Sequence, residues 1–136
     1  MRIFALALAG LFGLACGPAP LVVESVAAQA EGRSFSATLS GVASHFTAPL
    51  PSVVAFEVQF SHYVSMDTAW AYLRIRQDSL DVPVSLAGNA TRVRITPLLP
   101  LRERKNHALQ VGAGIASDTT ERLGLHEPHV VNFTVQ

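Results

Sequence analysis

Val53-Val54-Ala55-Phe56-Glu57-Val58-Gln59-Phe60 is the stretch that decides the fold. Val54, Phe56, Val58 and Phe60 alternate with Ala55, Glu57 and Gln59, the two-residue period of a strand with one buried and one wetted face. Towards the C-terminus the same device recurs. Tyr72-Leu73-Arg74-Ile75-Arg76 points Leu73 and Ile75 inward, and Val82-Pro83-Val84-Ser85-Leu86 follows with an edge position implied by Pro83, which has no amide to donate. Gly88-Asn89 supplies residues tolerant of positive φ for a hairpin turn into Arg92-Val93-Arg94-Ile95-Thr96, which stops at Pro97. His107 to Val111 turns Leu109 and Val111 inward, and Val131, Phe133 and Val135 close the pattern. After residue 30 no sustained 3.6-residue period is visible, so the class is all-β, a sandwich or small barrel of short strands.

Towards the N-terminus the signals are mixed. Leu21-Val22-Val23 and Ser34 to Leu39 each read as a strand, with one edge strand expected there, while alanine-rich Val26 to Ala30 suits a helical turn equally well. Gly112 to Pro128 is too long for a hairpin and predicts an extended loop with a mobile tip.

Length and charge narrow the function classes. The 136 residues allow one domain plus a targeting segment and a tether. An apolar fraction of 49 % excludes a disordered chain. Ten basic residues balance ten acidic ones, which leaves no basic surplus to grip phosphates and argues against nucleic acid as a partner.

Met1 and Arg2 precede an uncharged, largely apolar run, Ile3 to Ala15, that ends at Cys16, the only cysteine. At about 1.5 Å per residue this run covers roughly 20 Å as a helix, short of the ~30 Å hydrocarbon core, so it reads as a secretory signal helix. The run and its cysteine resemble the lipobox of bacterial lipoproteins, in which the thiol is lipidated and the leader is cut just before it. Ala15 fits the small residue required, whereas Gly13 stands where the pattern favours leucine. Gly17-Pro18-Ala19-Pro20 suits a spacer. The expected division is therefore 1–15 signal peptide, 16–32 lipidated Cys16 and flexible tether, and 33–136 sandwich. A lone cysteine has no disulfide partner within the chain, so stability must come from packing.

From Pro51 onward the order of features resembles the SbsA-type bacterial Ig-like domains. The residues that carry the likeness are Phe60-Ser61 before Met66-Asp67, the strand Arg92 to Thr96 running into Pro97 with Leu99 or Leu101 in the next loop, His107-Ala108-Leu109-Gln110-Val111, Gly114-Ile115, Asp118, and Phe133-Thr134. His107 stands where that family has tyrosine, and Thr119-Thr120-Glu121-Arg122 replaces its glycine-asparagine. The resemblance implies an Ig-like β-sandwich of about seven antiparallel strands, used as a spacer, adhesion or interaction module, and it implies no catalytic residues.

Residue types that suggest chemistry have plainer readings. His126-Glu127-Pro128-His129 carries zinc-type ligands, but Pro128 prevents a helix that would align them, and solvated loop histidines are expected. Asp67, Asp78, Asp81 and Asp118 lack the dense spacing of a calcium loop, and Asp67 is expected to cap a turn over Thr68 to Ala71. Ser61-His62 with Asp67 lacks the elbow that exposes a nucleophile. No catalytic residue, cofactor or metal is therefore assigned. Arg74, Arg76, Arg92 and Arg94 form two outward pairs, which an Ig-like arrangement divides between its sheets. Trp70 and Tyr72 share the strand parity of Arg74 and Arg76, so these four make the candidate binding patch.

The expected function is that of a non-enzymatic envelope lipoprotein at the outer membrane or cell surface, held to the membrane through Cys16 and contacting an envelope protein or glycan. A soluble periplasmic or secreted carbohydrate-binding or enzyme-accessory module is the alternative.

Overall fold

The computed structural model describes residues 19–41, 44–89 and 91–136. The expected signal peptide and Cys16 lie outside the described residues. Ten strands form two five-stranded sheets among them. In chain order they are β1 (Val23–Ala30), β2 (Arg33–Ser36), β3 (Ser44–His45), β4 (Ala55–Phe60), β5 (Leu73–Gln77), β6 (Leu80–Val82), β7 (Val84–Asn89), β8 (Arg92–Pro97), β9 (Asn106–Val111) and β10 (His129–Thr134), with one short helix, α1 (Met66–Tyr72), between β4 and β5. The sheets are ordered β2-β1-β4-β8-β7 and β3-β10-β9-β5-β6. In the lettering of immunoglobulin domains β1, β4, β8 and β7 stand as A, B, E and D, while β10, β9 and β5 stand as G, F and C. The fold is an Ig-like all-β sandwich with more strands than the seven expected. All pairings are antiparallel except that of β3 with β10.

The strand centred on Phe56 lies inside the first sheet. Phe56 sits opposite Ala28 of β1 and Ile95 of β8, and Val58 opposite Val26 and Val93. In the second sheet Leu109 is flanked by Ile75 of β5 and Val131 of β10. The two inner faces close on each other around Phe56, whose ring lies 4.9 Å from that of Phe133 and 5.9 Å from that of Phe46. The positions expected to turn inward are buried except along Val82 to Leu86, where Val82, Val84 and Leu86 pack half-buried on the edge strands β6 and β7.

Three local expectations are corrected. The segment 16–32, expected as a tether, contributes β1, a strand inside the first sheet with Val26 and Ala28 fully covered. A β-bulge between Val23 and Ser25 lets Val23 and Val26, three residues apart, both face the core. The β1–β2 hairpin turns on Glu31 and Gly32 at φ 54° and 73°, the left-handed pair that a two-residue loop of matching twist requires. Next, Val82 to Leu86 is not one strand. Val82 ends β6 in the second sheet and Val84 begins β7 in the first, so Pro83 marks the point where the chain changes sheet, and both strands are edges as proline demands. Finally, the stem of the loop 112–128 is pinned, because Ile115 and Ser117 are fully buried and Ala116 bridges Gly124.

Candidate interaction surface

Strand direction gathers the loops at two ends. One end holds the start of β1, the β4–β5 crossover with α1, the β7–β8 turn and the β9–β10 loop. Hydrogen bonds knit them together. The Leu21 amide donates to the Gly124 carbonyl (3.1 Å), the His126 amide to Leu21 (2.7 Å), the Asp118 amide to Tyr63 (2.6 Å) and the Phe60 amide to Thr91 (2.8 Å). At the other end the Gln136 amide donates to Leu50 (3.0 Å) and the Arg104 amide to Val135 (3.0 Å).

The four residues of the expected patch fall on two elements. Arg74 and Arg76 lie on β5, but Trp70 and Tyr72 lie on α1, where strand parity does not operate. At about 100° per residue the two rings leave opposite flanks of the helix, while Ala69 faces the core. Met66, on the flank of Trp70, packs against Gly88, and Tyr72 lies over Gly112 and Gly114. α1 forms where Ser65 begins it, with no side-chain cap. The Thr68 hydroxyl donates to the Ser65 carbonyl (2.8 Å), so the cap expected of Asp67 is not the one formed.

The guanidinium groups are engaged locally. Arg74 donates to the Ala71 carbonyl (2.6 Å) at the end of α1, and Arg76 to the Ser79 carbonyl. Both lie near Asp81 of β6, at 3.7 Å and 3.6 Å. Such exposed pairs contribute about 0–1 kcal/mol each and leave little free charge for a ligand. On the other sheet Arg92 and Arg94 share Glu57, so the two arginine pairs are divided between sheets as expected.

The remaining sequence candidates are dispersed. Ser61 Oγ accepts from the Val22 amide (3.0 Å), which ties the crossover to the start of β1. His126 is exposed, but His129 is buried at the head of β10 and is not the solvated loop histidine expected. No group of three His, Cys, Asp or Glu is placed to hold a metal among the described residues. His107 is buried and stacked on Phe133 at 5.2 Å. Its Nδ1–H donates to the Lys105 carbonyl (2.9 Å), and Nε2 has no partner among the described residues. Burial lowers its pKa below the usual imidazole range, opposed by the Lys105 hydrogen bond and by the charge of Asp78.

One surface was missed by sequence reasoning. At the end opposite Leu21, a cleft of about 360 Å³ opens between the end of β1, the start of β4 and the segment after β8. Its apolar walls include Val53, Leu98 and Leu99, which are 69 %, 61 % and 71 % exposed. Arg94 at its edge is held by Gln29 Oε1 at 2.8 Å. The signal was Pro97-Leu98-Leu99-Pro100, two leucines fenced by prolines where no strand period can bury them.

No protein-family model and no curated protein matches the chain. Among solved structures, the crystal structure of the N-terminal part of the bacterial S-layer protein SbsC is similar, with a TM-score of 0.50 and 14 % identity over 98 % of this chain. The likeness spans 27 % of that structure's chain. At this identity the shared property is the fold, a β-domain also found within a bacterial S-layer protein.

Proposed function

We propose that the chain is a non-enzymatic lipoprotein of the cell envelope, in which Cys16 carries the lipid and the sandwich presents its far end to an envelope protein or glycan. The observation that carries this reading is the placement of the two ends. The chain joins the sandwich at Leu21, five residues after Cys16, and the apolar cleft of Val53, Leu98 and Leu99 lies at the opposite end. A lipid at Cys16 therefore turns the cleft away from the membrane, the orientation a spacer or adhesive module needs. The shared architecture with part of a bacterial S-layer protein agrees with a role at the cell surface.

The anchor is tested by the intact mass of the mature chain from a bacterial host, where diacylation of Cys16 adds the mass of two acyl chains. A mature N-terminus elsewhere with a free thiol overturns it and favours a secreted module. Presentation is tested with a photo-crosslinker at Leu98 and at exposed Ser25, which lies on β1 near the end where the chain joins the sandwich. Capture of envelope components from Leu98 alone supports the reading, and equal capture from both refutes it.

A further inference from the structure

The chain has one tryptophan and two tyrosines, and all three lie within the single crossover from β4 to β5. Tyr63, Trp70 and Tyr72 are 60 %, 57 % and 46 % exposed. Packing does not require this, since the core is filled by phenylalanine and aliphatic residues and leaves the Tyr63 and Trp70 rings mostly exposed, while Tyr72 lies over Gly112 and Gly114. The three rings also occupy the end at which the chain joins the sandwich. The Tyr63 carbonyl is bound by the Asp118 amide, and Leu21 is bridged to Leu125 in that same β9–β10 loop.

We infer that this aromatic end docks onto the headgroup region of a lipid bilayer, with Tyr63 and Trp70 as the inserting side chains and Tyr72 held on the other flank of α1 over Gly112 and Gly114. The inference rests on the lipid-anchor reading for its geometry. Five residues from Cys16 to Leu21 reach at most roughly 18 Å, so an anchored chain holds this end beside the membrane. Tyr and Trp rings favour that depth because each pairs an apolar body with a polar tip. A short tether also raises the local concentration of the surface to about the millimolar range, so weak insertion is enough for occupancy.

Charge selects the lipid. Asp67 on α1 and Asp118, Glu121 and Glu127 in the β9–β10 loop outnumber Arg122 of that loop at this end, and Arg74 is folded back onto Ala71. An acidic surplus gains nothing from anionic headgroups, so zwitterionic lipid is the matching surface.

Because Trp70 is the sole tryptophan, its emission reports this surface directly. The test reconstitutes the full mature chain, purified from bacterial membranes, into phosphatidylcholine vesicles with either ordinary or dibrominated acyl chains. Co-flotation with the vesicles, together with a blue-shifted Trp70 emission that brominated lipid quenches, is the expected result. Tyr63→Ser, which removes an exposed ring without touching the core, should weaken the quenching while flotation persists. Flotation with emission identical in both lipids overturns the docking and leaves the anchor standing. Failure to float overturns both.

Discussion

Replacing Phe56 by alanine probes the contact on which the sandwich depends. The ring is fully buried, sits opposite Ile95 and Ala28 in its own sheet, and meets Phe46 and Phe133 across the interior. An aromatic side chain covering 150–250 Å² at about 25 cal/mol per Å² represents roughly 4–6 kcal/mol of burial. Alanine keeps part of that, and the surrounding sheets cannot collapse fully into the void, so the net loss is about 3–5 kcal/mol. Against a typical total of about 5–15 kcal/mol this is severe. For a domain of this size it lowers Tm by roughly 10–20 °C. Equilibrium urea unfolding followed by far-ultraviolet circular dichroism measures it, with the slope required to stay constant so that the midpoint reports stability. Val53→Ala is the internal control, since Val53 is 69 % exposed and its loss should stay within about 0.5 kcal/mol. A Phe56→Ala loss below about 1 kcal/mol, or equal losses at both positions, would refute the proposed packing of β4.

The buried polar groups and the special backbone positions give further expectations. Ser117 Oγ accepts from the Leu123 amide at 2.7 Å and is fully buried, so Ser117→Ala orphans that amide and costs about 1–3 kcal/mol, seen as faster hydrogen exchange at Leu123. His107 has a pKa lowered by burial, so on acidification the unfolded chain takes up its proton first. Stability from this group is complete above the unfolded value near 6.5 and drains away as pH falls below it. Urea midpoints measured from pH 7.5 to 5 should decline less steeply in His107→Phe, which keeps the stacking on Phe133; an unchanged slope removes His107 as the source. Gly32→Ala places a Cβ at φ 73° in the β1–β2 turn and should cost about 1 kcal/mol in the same assay. A Cβ on Gly114 would overlap the Tyr72 ring, so Gly114→Ala should expel the ring and alter the near-ultraviolet dichroism, whereas an unaltered spectrum contradicts that contact.

The candidate surface was only partly legible in the sequence. Trp70, Tyr72, Arg74 and Arg76 looked like one outward row because each is two residues from the next. Seven residues of helix are too few to show a 3.6-residue period, and the turn of α1 sends the two rings to opposite flanks. β1 stayed hidden for a related reason. Its inward residues include Ala28 and Ala30, which carry little strand preference, and its bulge interrupts the alternation that betrays a strand. The loss of the row at Trp70 and the appearance of the cleft at Leu98 both follow from contacts between segments far apart in the chain.

Alternation of wet and oily residues is a local property, and it alone determined that β4, β5, β8, β9 and β10 are strands and which of their side chains turn inward. Composition and the single cysteine likewise determined that packing, not disulfides, must stabilise one domain. Which strands share a sheet was decided only by the closure of two apolar faces around Phe56, because a strand's hydrogen-bonding edges carry no sequence label. That closure drew β1 into the first sheet, divided the arginines, and set the joining point at Leu21 and the cleft at Leu98 at opposite ends of the molecule.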